Sequence, residues 1–130
     1  MEIAVPVLDT RFFVEFYGQK DVNIQKKLKD LARSSKYVSV ITIHELYFLF
    51  GSFEGKEITE IRIGRIAETY DIFQVNKSIA VEGAKYRIRN RMPRADSLIA
   101  ATAMEKDGIV ITDDPRFTQI DDLRIKWHTE

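Results

Sequence analysis

The sequence of 130 residues contains no cysteine, which excludes disulfide bonds, thiolate metal sites and a cysteine nucleophile. Only two histidines are present, and they do not have the spacing of metal ligands. No apolar run approaches the roughly 20 residues of a membrane-spanning helix. The apolar residues 3–8 lack the basic lead-in and cleavage site of a signal peptide. These absences predict a cytoplasmic protein without membrane contact.

An excess of charge is also missing, since 20 basic residues balance 20 acidic ones. A general nucleic-acid coat protein is more basic, so any contact with nucleic acid must be local. Zero net charge makes self-association easier. The 45% hydrophobic and 31% charged residues are ordinary for a globular protein, and the length predicts one domain over residues 1–130.

Short apolar runs rich in β-branched residues alternate with stretches of helical periodicity along the chain. We expect strands at residues 3–8, 37–41, 109–111 and 123–127, and at 71–75 either a strand or an extended lead-in. We expect helices at residues 11–17, from Asp21 or Asn23 past Leu31, at 42–51, 56–70 and 77–90, and from Arg94 to Gly108. This alternation predicts an α/β fold, a single three-layer α/β/α domain with a mostly parallel central sheet.

Four acidic residues stand where strands end or helices begin. Asp9 closes the first strand, Asp96 opens a helix, and Asp114 follows the buried strand 109–111. Glu45 is expected in the first turn of a helix capped by Thr42, at the spacing of a capping box. In a parallel sheet these four positions lie at the carboxyl edge.

Carboxylates that meet without a counter-charge repel one another, so such a cluster persists most easily around a divalent cation. Oxygen ligands without cysteine favour Mg²⁺ or Mn²⁺, and a pair of such ions supports phosphodiester cleavage. Each acid taken singly also has a structural explanation, as a helix cap, a favourable charge at a helix N-terminus or part of a turn. The combination of all four, in order, favours a site.

Four blocks of the sequence resemble the PIN-domain nucleases, and most closely the VapC-type toxins of prokaryotic toxin–antitoxin pairs. The blocks are VLDT at residues 7–10, VSVITIHEL at 38–46, RADSLIAATA at 94–103 and VITDDPRF at 110–117. The resemblance covers residues 5–117, and the third and fourth blocks are the most specific. It implies a parallel α/β/α sandwich, a metal-dependent ribonuclease acting on single-stranded RNA, a homodimer, and a small antitoxin protein that blocks the acidic cleft.

The resemblance also implies roles for individual residues. The family's catalytic and metal-binding acids match Asp9, Glu45, Asp96 and Asp114. Thr112 matches the hydroxyl residue that orders the site, and Thr10 matches the small polar residue after the first acid.

Two arginines depart from the family pattern. Arg11 stands where the family often has serine, and Arg116 stands where it often has a further acid. A basic side chain at either position could bind substrate phosphate or reduce metal affinity. Arg91 and Arg94 end a basic segment before Asp96 and are further candidates for binding RNA phosphates. That segment could equally be a solvated helix face.

The sequence thus predicts an Mg²⁺- or Mn²⁺-dependent endoribonuclease, the toxin of a toxin–antitoxin pair. Two alternatives stay open: a PIN-fold module that binds RNA or protein with weak or no catalysis, and a stand-alone RNA-processing nuclease. An aspartyl-phosphate phosphatase requires an acid two residues after Asp9, where this chain has Arg11.

Overall fold

The computed structural model describes residues 4–129. Within them the chain forms six α-helices and five strands. The strands are β1 Val7–Leu8, β2 Tyr37–Ser39, β3 Asp71–Phe73, β4 Ile109–Ile111 and β5 Arg124–Lys126. The helices are α1 Thr10–Gly18, α2 Val22–Ala32, α3 Val40–Phe53, α4 Lys56–Thr69, α5 Lys77–Asn90 and α6 Arg94–Glu105, with a 3-10 helix at Pro115–Gln119.

The strands form one sheet in the order β3-β2-β1-β4-β5, and every neighbouring pair is parallel. The chain continues from β1 to β2 on one side, whereas β4 pairs with β1 on the other. A sheet whose strand order reverses in this way opens a crevice at the carboxyl ends of the two strands flanking the reversal, here β1 and β4.

Each face of the sheet is covered by its own hydrophobic cluster, because successive side chains of a strand point to opposite faces. Val7 packs with Ile79 of α5 and Ile99 of α6. Its neighbour Leu8 packs on the other face with Phe12 of α1 and Leu46 of α3. The predicted three-layer α/β/α fold with a parallel sheet is therefore confirmed.

Several element boundaries differ from the sequence prediction. The first strand was predicted from Ile3, which lies outside the described residues, but β1 begins only at Val7. Pro6 has no N–H to donate to a ladder, and the Val5 N–H binds the side chain of Asp107 instead. The second strand ends at Ser39, not at residue 41, because the Ser39 hydroxyl accepts the Ile41 N–H and starts α3.

Two further expectations about helices can be compared with the structure. α3 continues past Gly51 to Phe53, so the predicted end at Gly51 is wrong. The helices described in residues 4–129 include none with both the length and the apolar character needed to cross a membrane. The expected single domain over residues 1–130 stays a prediction.

Helices α5 and α6 pack closely where Gly83 faces Ser97 and Leu98. A Cβ added at Gly83 would stand 3.0 Å from Leu98 Cδ2 and 3.4 Å from the Ser97 carbonyl oxygen. We expect Gly83→Val to lower the free energy of unfolding by about 1–3 kcal/mol, because the inserted methyl groups force the two helices apart. Urea denaturation measures this change.

Gly64 provides the matched control for Gly83. It also lies inside a helix, but a Cβ added there meets nothing within 4 Å. Gly64→Val is expected to change stability by no more than about 0.5 kcal/mol. Equal losses in the two variants would contradict the α5–α6 contact as the cause of the effect at Gly83.

Candidate active site

Asp9 lies at the carboxyl end of the central strand β1 and is only 1% exposed. It caps α1, where its Oδ1 accepts the Thr10 N–H at 2.7 Å. Its Oδ2 accepts the hydroxyl of Thr112 at 2.8 Å. Thr112 follows β4, the neighbouring strand, so the sheet itself aligns the two side chains. Both oxygens of Asp9 are thus fixed in place.

Burial raises the pKa of Asp9 from 3.8 to about 7, and the hydrogen bond from Thr112 partly opposes this rise. The charges of Asp96 and Glu45 raise the pKa further. These two acids come from α6 and α3, which are distant in the sequence, and they lie close enough for their charges to act on Asp9. The crevice therefore gathers negative charge in a place with little water.

Glu45 reaches the crevice from α3. Its Oε1 accepts the hydroxyl of buried Thr10 at 2.6 Å, and the Thr42 hydroxyl lies 3.5 Å from Thr10 Oγ1. The expected capping box of Thr42 and Glu45 is wrong, because Ser39 caps the helix and Glu45 lies in its second turn. A purely structural role of Glu45 as a capping partner is thereby removed, and its carboxylate faces the β1–α1 junction instead.

Asp96 and Asp114 share one arginine as a hydrogen-bond donor. Asp96 lies in the first turn of α6, and Asp114 caps the 3-10 helix. The Nη2 atom of Arg116 donates to Asp96 Oδ2 at 2.9 Å and to Asp114 Oδ2 at 2.6 Å. Arg116 lowers the pKa of Asp114, whereas burial is the main cause that raises the pKa of Asp96.

The other three predicted substrate-binding arginines lie in different surroundings. Arg11 forms a two-pronged ion pair with Asp113, whose pKa it lowers. This pair engages both carboxylate oxygens of Asp113. Arg94 lines a groove of about 750 Å³ together with Glu45. Arg91 lies at the end of α5 and lines a separate groove.

Thr42 is the site residue whose role the sequence reasoning missed. It is fully buried beside Thr10, one helical turn before Glu45. Residues three apart share a helix face, so the spacing of Thr42 and Glu45 indicates that both side chains point the same way. The sequence prediction interpreted this spacing as a helix cap instead.

The donor atoms of the crevice fit a hard divalent cation. They are carboxylate oxygens backed by hydroxyl groups, which Mg²⁺ and Mn²⁺ prefer. Within residues 4–129, however, no three acidic or histidine side chains already stand in a cluster that could hold a metal ion. Two of the four acids, Asp96 and Asp114, instead form ion pairs with Arg116.

Thr112 is expected to control the charge state of Asp9. Its hydroxyl donates to Asp9 Oδ2 and accepts the Asp114 N–H at 3.1 Å. Thr112→Val keeps the side-chain shape but removes both bonds, so we expect a loss of about 1–3 kcal/mol at pH 8 and a further rise in the pKa of Asp9. Urea denaturation and carboxyl-carbon NMR titration measure the two effects. Thr112→Ser, which keeps the hydroxyl, should show neither; an unchanged pKa in Thr112→Val would contradict the assigned bond.

Comparison with known proteins gives a family and a set of similar folds. The family model described as PIN domain matches residues 7–123, and no curated protein matches by sequence. The chain is similar to VapBC2 from Rickettsia felis bound to a promoter DNA fragment, with a TM-score of 0.78 and 18% identity over 95% of this chain and 98% of that one.

Two other solved structures are also similar. VapBC-1 from nontypeable Haemophilus influenzae has a TM-score of 0.78 and 20% identity over 97% of this chain and 99% of that one. VapC20 of Mycobacterium tuberculosis, described as a sarcin-ricin loop cleaving toxin, has a TM-score of 0.70 and 16% identity over 87% and 92%. Likeness at these identities establishes a shared fold.

Proposed function

The chain belongs to the PIN-domain family, whose model matches residues 7–123, and from this premise we propose that it is a metal-dependent endoribonuclease acting on single-stranded RNA. The observation that carries the proposal is that Glu45 and Asp96, from two other elements, lie close enough to buried Asp9 for their charges to raise its pKa. A fold alone has no need to collect like charges in a buried crevice, where they raise the pKa of one another. A reaction that uses a divalent cation does need several carboxylates close together to bind the ion.

In this proposal Asp9, Glu45, Asp96 and Asp114 hold Mg²⁺ or Mn²⁺. When bound, the ion supplies Lewis acidity toward an RNA phosphate and a nearby activated water. Thr10 and Thr112 have a positioning role, since their hydroxyl groups donate to Glu45 and Asp9 and keep the acceptor lone pairs oriented. Such supporting contacts are worth about 10–100-fold in metal affinity or activity.

The proposed RNA path follows the groove beside Glu45. Arg94 lines this groove, and its charge suits a phosphate of the backbone. Phe48 of the same groove is 68% exposed, and an exposed aromatic ring offers a stacking surface for a base. Arg91, Arg11 and Arg116 are further proposed phosphate contacts.

We further propose that the chain is the toxin of a toxin–antitoxin pair and acts in the cytoplasm as a homodimer. The support is the likeness to VapC chains solved in VapBC complexes from Rickettsia felis and Haemophilus influenzae. The expected partner is a small antitoxin protein that covers the acidic crevice. Growth arrest on expression of the wild type, but not of Asp9→Asn, would support this assignment.

A second candidate is a binding module without cleavage activity. The specific observation in its favour is Arg116, whose guanidinium group forms ion pairs with both Asp96 and Asp114. Such a module would show no saturable response to Mn²⁺.

The experiment that tests the proposed function compares single-stranded RNA with single-stranded DNA of the same sequence. Each is incubated with the purified protein in Mn²⁺ or in EDTA. We expect cleavage of RNA in Mn²⁺ alone. Cleavage that persists in EDTA would contradict metal dependence, and equal cleavage of DNA would contradict the assigned substrate.

A further inference from the structure

The guanidinium group of Arg116 bridges Asp96 and Asp114. Besides its Nη2 contacts, its Nε donates to Asp114 Oδ1 at 3.1 Å and to Asp114 Oδ2 at 3.0 Å. The arginine side chain is 50% exposed, whereas the side chains of Asp96 and Asp114 are 18% and 11% exposed. Arg116 thus covers two carboxylates that are themselves turned inward.

The same oxygen atoms are the ones that a cation at this site requires. Both oxygens of Asp114 and one oxygen of Asp96 accept hydrogen bonds from Arg116. A planar guanidinium fork fits such a carboxylate pair well. A divalent ion held by Asp96 and Asp114 would compete with the guanidinium group for these oxygens.

We infer that Arg116 is a built-in competitor of the divalent cation, holding the metal-free site closed until an ion displaces it. This inference rests on the proposed metal-dependent function. The competitor is tethered two residues from Asp114, so its local concentration is constant and high. The apparent affinity of the site for the ion is therefore lower by a constant factor.

The structure also provides for the release of Arg116. The arginine of these ion pairs is 50% exposed, so water screens its charge and weakens its hold on the carboxylates. The backbone N–H of Arg116 donates to Asp114 Oδ1 at 3.0 Å independently of the side chain. Asp114 therefore stays oriented as the cap of the 3-10 helix after the guanidinium group leaves.

Arg11 offers a matched control on the same edge of the sheet. Replacing Arg11 with glutamine removes the same charge as replacing Arg116. The charge of Arg11 also acts on Asp9 and Asp114, and it lowers the pKa of Asp114. Its hydrogen bonds, however, go to Asp113, which is outside the four assigned acids. A general electrostatic effect would appear in both arginine variants, and direct competition only in Arg116.

The test is Mn²⁺ binding to the RNA-free protein, followed by electron paramagnetic resonance of the free ion. We expect Arg116→Gln to bind Mn²⁺ about tenfold more tightly than the wild type, and Arg11→Gln less than threefold. In EDTA, Arg116→Gln should melt at a lower temperature than the wild type, and saturating Mn²⁺ should close that gap. Arg116→Lys, which keeps the charge but not the fork, should show an intermediate affinity and carries the test if the glutamine variant does not fold.

The possible outcomes separate this inference from the proposed function. If Arg116→Gln and Arg11→Gln both bind Mn²⁺ more tightly by the same factor, the cause is the change in net charge and not direct competition by Arg116. If Mn²⁺ binding is saturable but has the same affinity in Arg116→Gln as in the wild type, the inference about Arg116 is wrong, whereas the proposed function is not contradicted. Absence of saturable binding in both the wild type and Arg116→Gln would overturn the metal-dependent function together with it.

Discussion

Cleavage of single-stranded RNA by Asp96→Asn is expected to be about a thousandfold slower than by the wild type, or slower still, a barrier increase of about 4 kcal/mol. Asparagine keeps the shape of the side chain and can still accept from Arg116, but it removes a negative charge from the crevice. That charge is costly where it stands, since burial raises the pKa of Asp96. A site that keeps such a charge depends on it for its chemistry.

The Asp96→Asn variant should remain folded. Its loss of a favourable charge in the first turn of α6 costs about 0.3–1 kcal/mol, and relief of the buried charge offsets this. Asp30→Asn is the control, because it removes an equal charge from the exposed face of α2. Single-turnover cleavage and circular dichroism give the two measurements. Wild-type cleavage by Asp96→Asn would show that the assigned site is wrong.

The metal-free protein is expected to be about 2 kcal/mol more stable at pH 5.5 than at pH 8 because of Asp9. Its pKa is about 7 in the folded protein and 3.8 in the unfolded chain. Between these values the folded state holds a proton that the unfolded chain has released, so stability increases as the pH falls from 8. The stability that Asp9 contributes is therefore lost as the pH rises through about 7.

Asp9→Asn isolates this effect, since it removes the titrating group and leaves the histidines in place. The difference between the wild type and the variant in urea unfolding, measured at both pH values, should account for the predicted gain. Asp113 and Asp114 act in the opposite direction, because their pKa values are lowered. Their contribution is lost only near and below pH 4. An Asp9→Asn variant with the full pH dependence of the wild type would contradict the assignment.

The sequence predicted the parts of the fold that local patterns determine. The apolar run at Ile109–Ile111 became β4 with those bounds, and the residues 77–90 became α5. The strand ends at Val7 and Ser39 were not predictable from apolar patterning. They depend on contacts between distant residues, such as the Val5 N–H with Asp107, and on a cap that competes with the strand.

The sequence predicted that four acids lie at the carboxyl edge of the sheet, but not that Arg116 forms ion pairs with two of them. Asp9 and Asp96 were expected at the carboxyl edge because the ends of parallel strands meet there. The bridge from Arg116 to Asp96 joins residues 20 apart in the sequence, and nothing in the local spacing indicates it. Similarly, the spacing of Glu45 to Thr42 suggested a capping box as a structural alternative for this acid, whereas Glu45 in the structure accepts the Thr10 hydroxyl of α1.

The most direct test of the central claim is the rate of RNA cleavage as a function of Mn²⁺ concentration, in the wild type and in Asp96→Asn. If the acidic crevice is a metal-dependent active site, the cleavage rate of the wild type increases with Mn²⁺ to saturation and is fully suppressed by EDTA. The rate of Asp96→Asn does not change with Mn²⁺. A wild-type rate that does not depend on Mn²⁺, or equal curves for the two proteins, would contradict it.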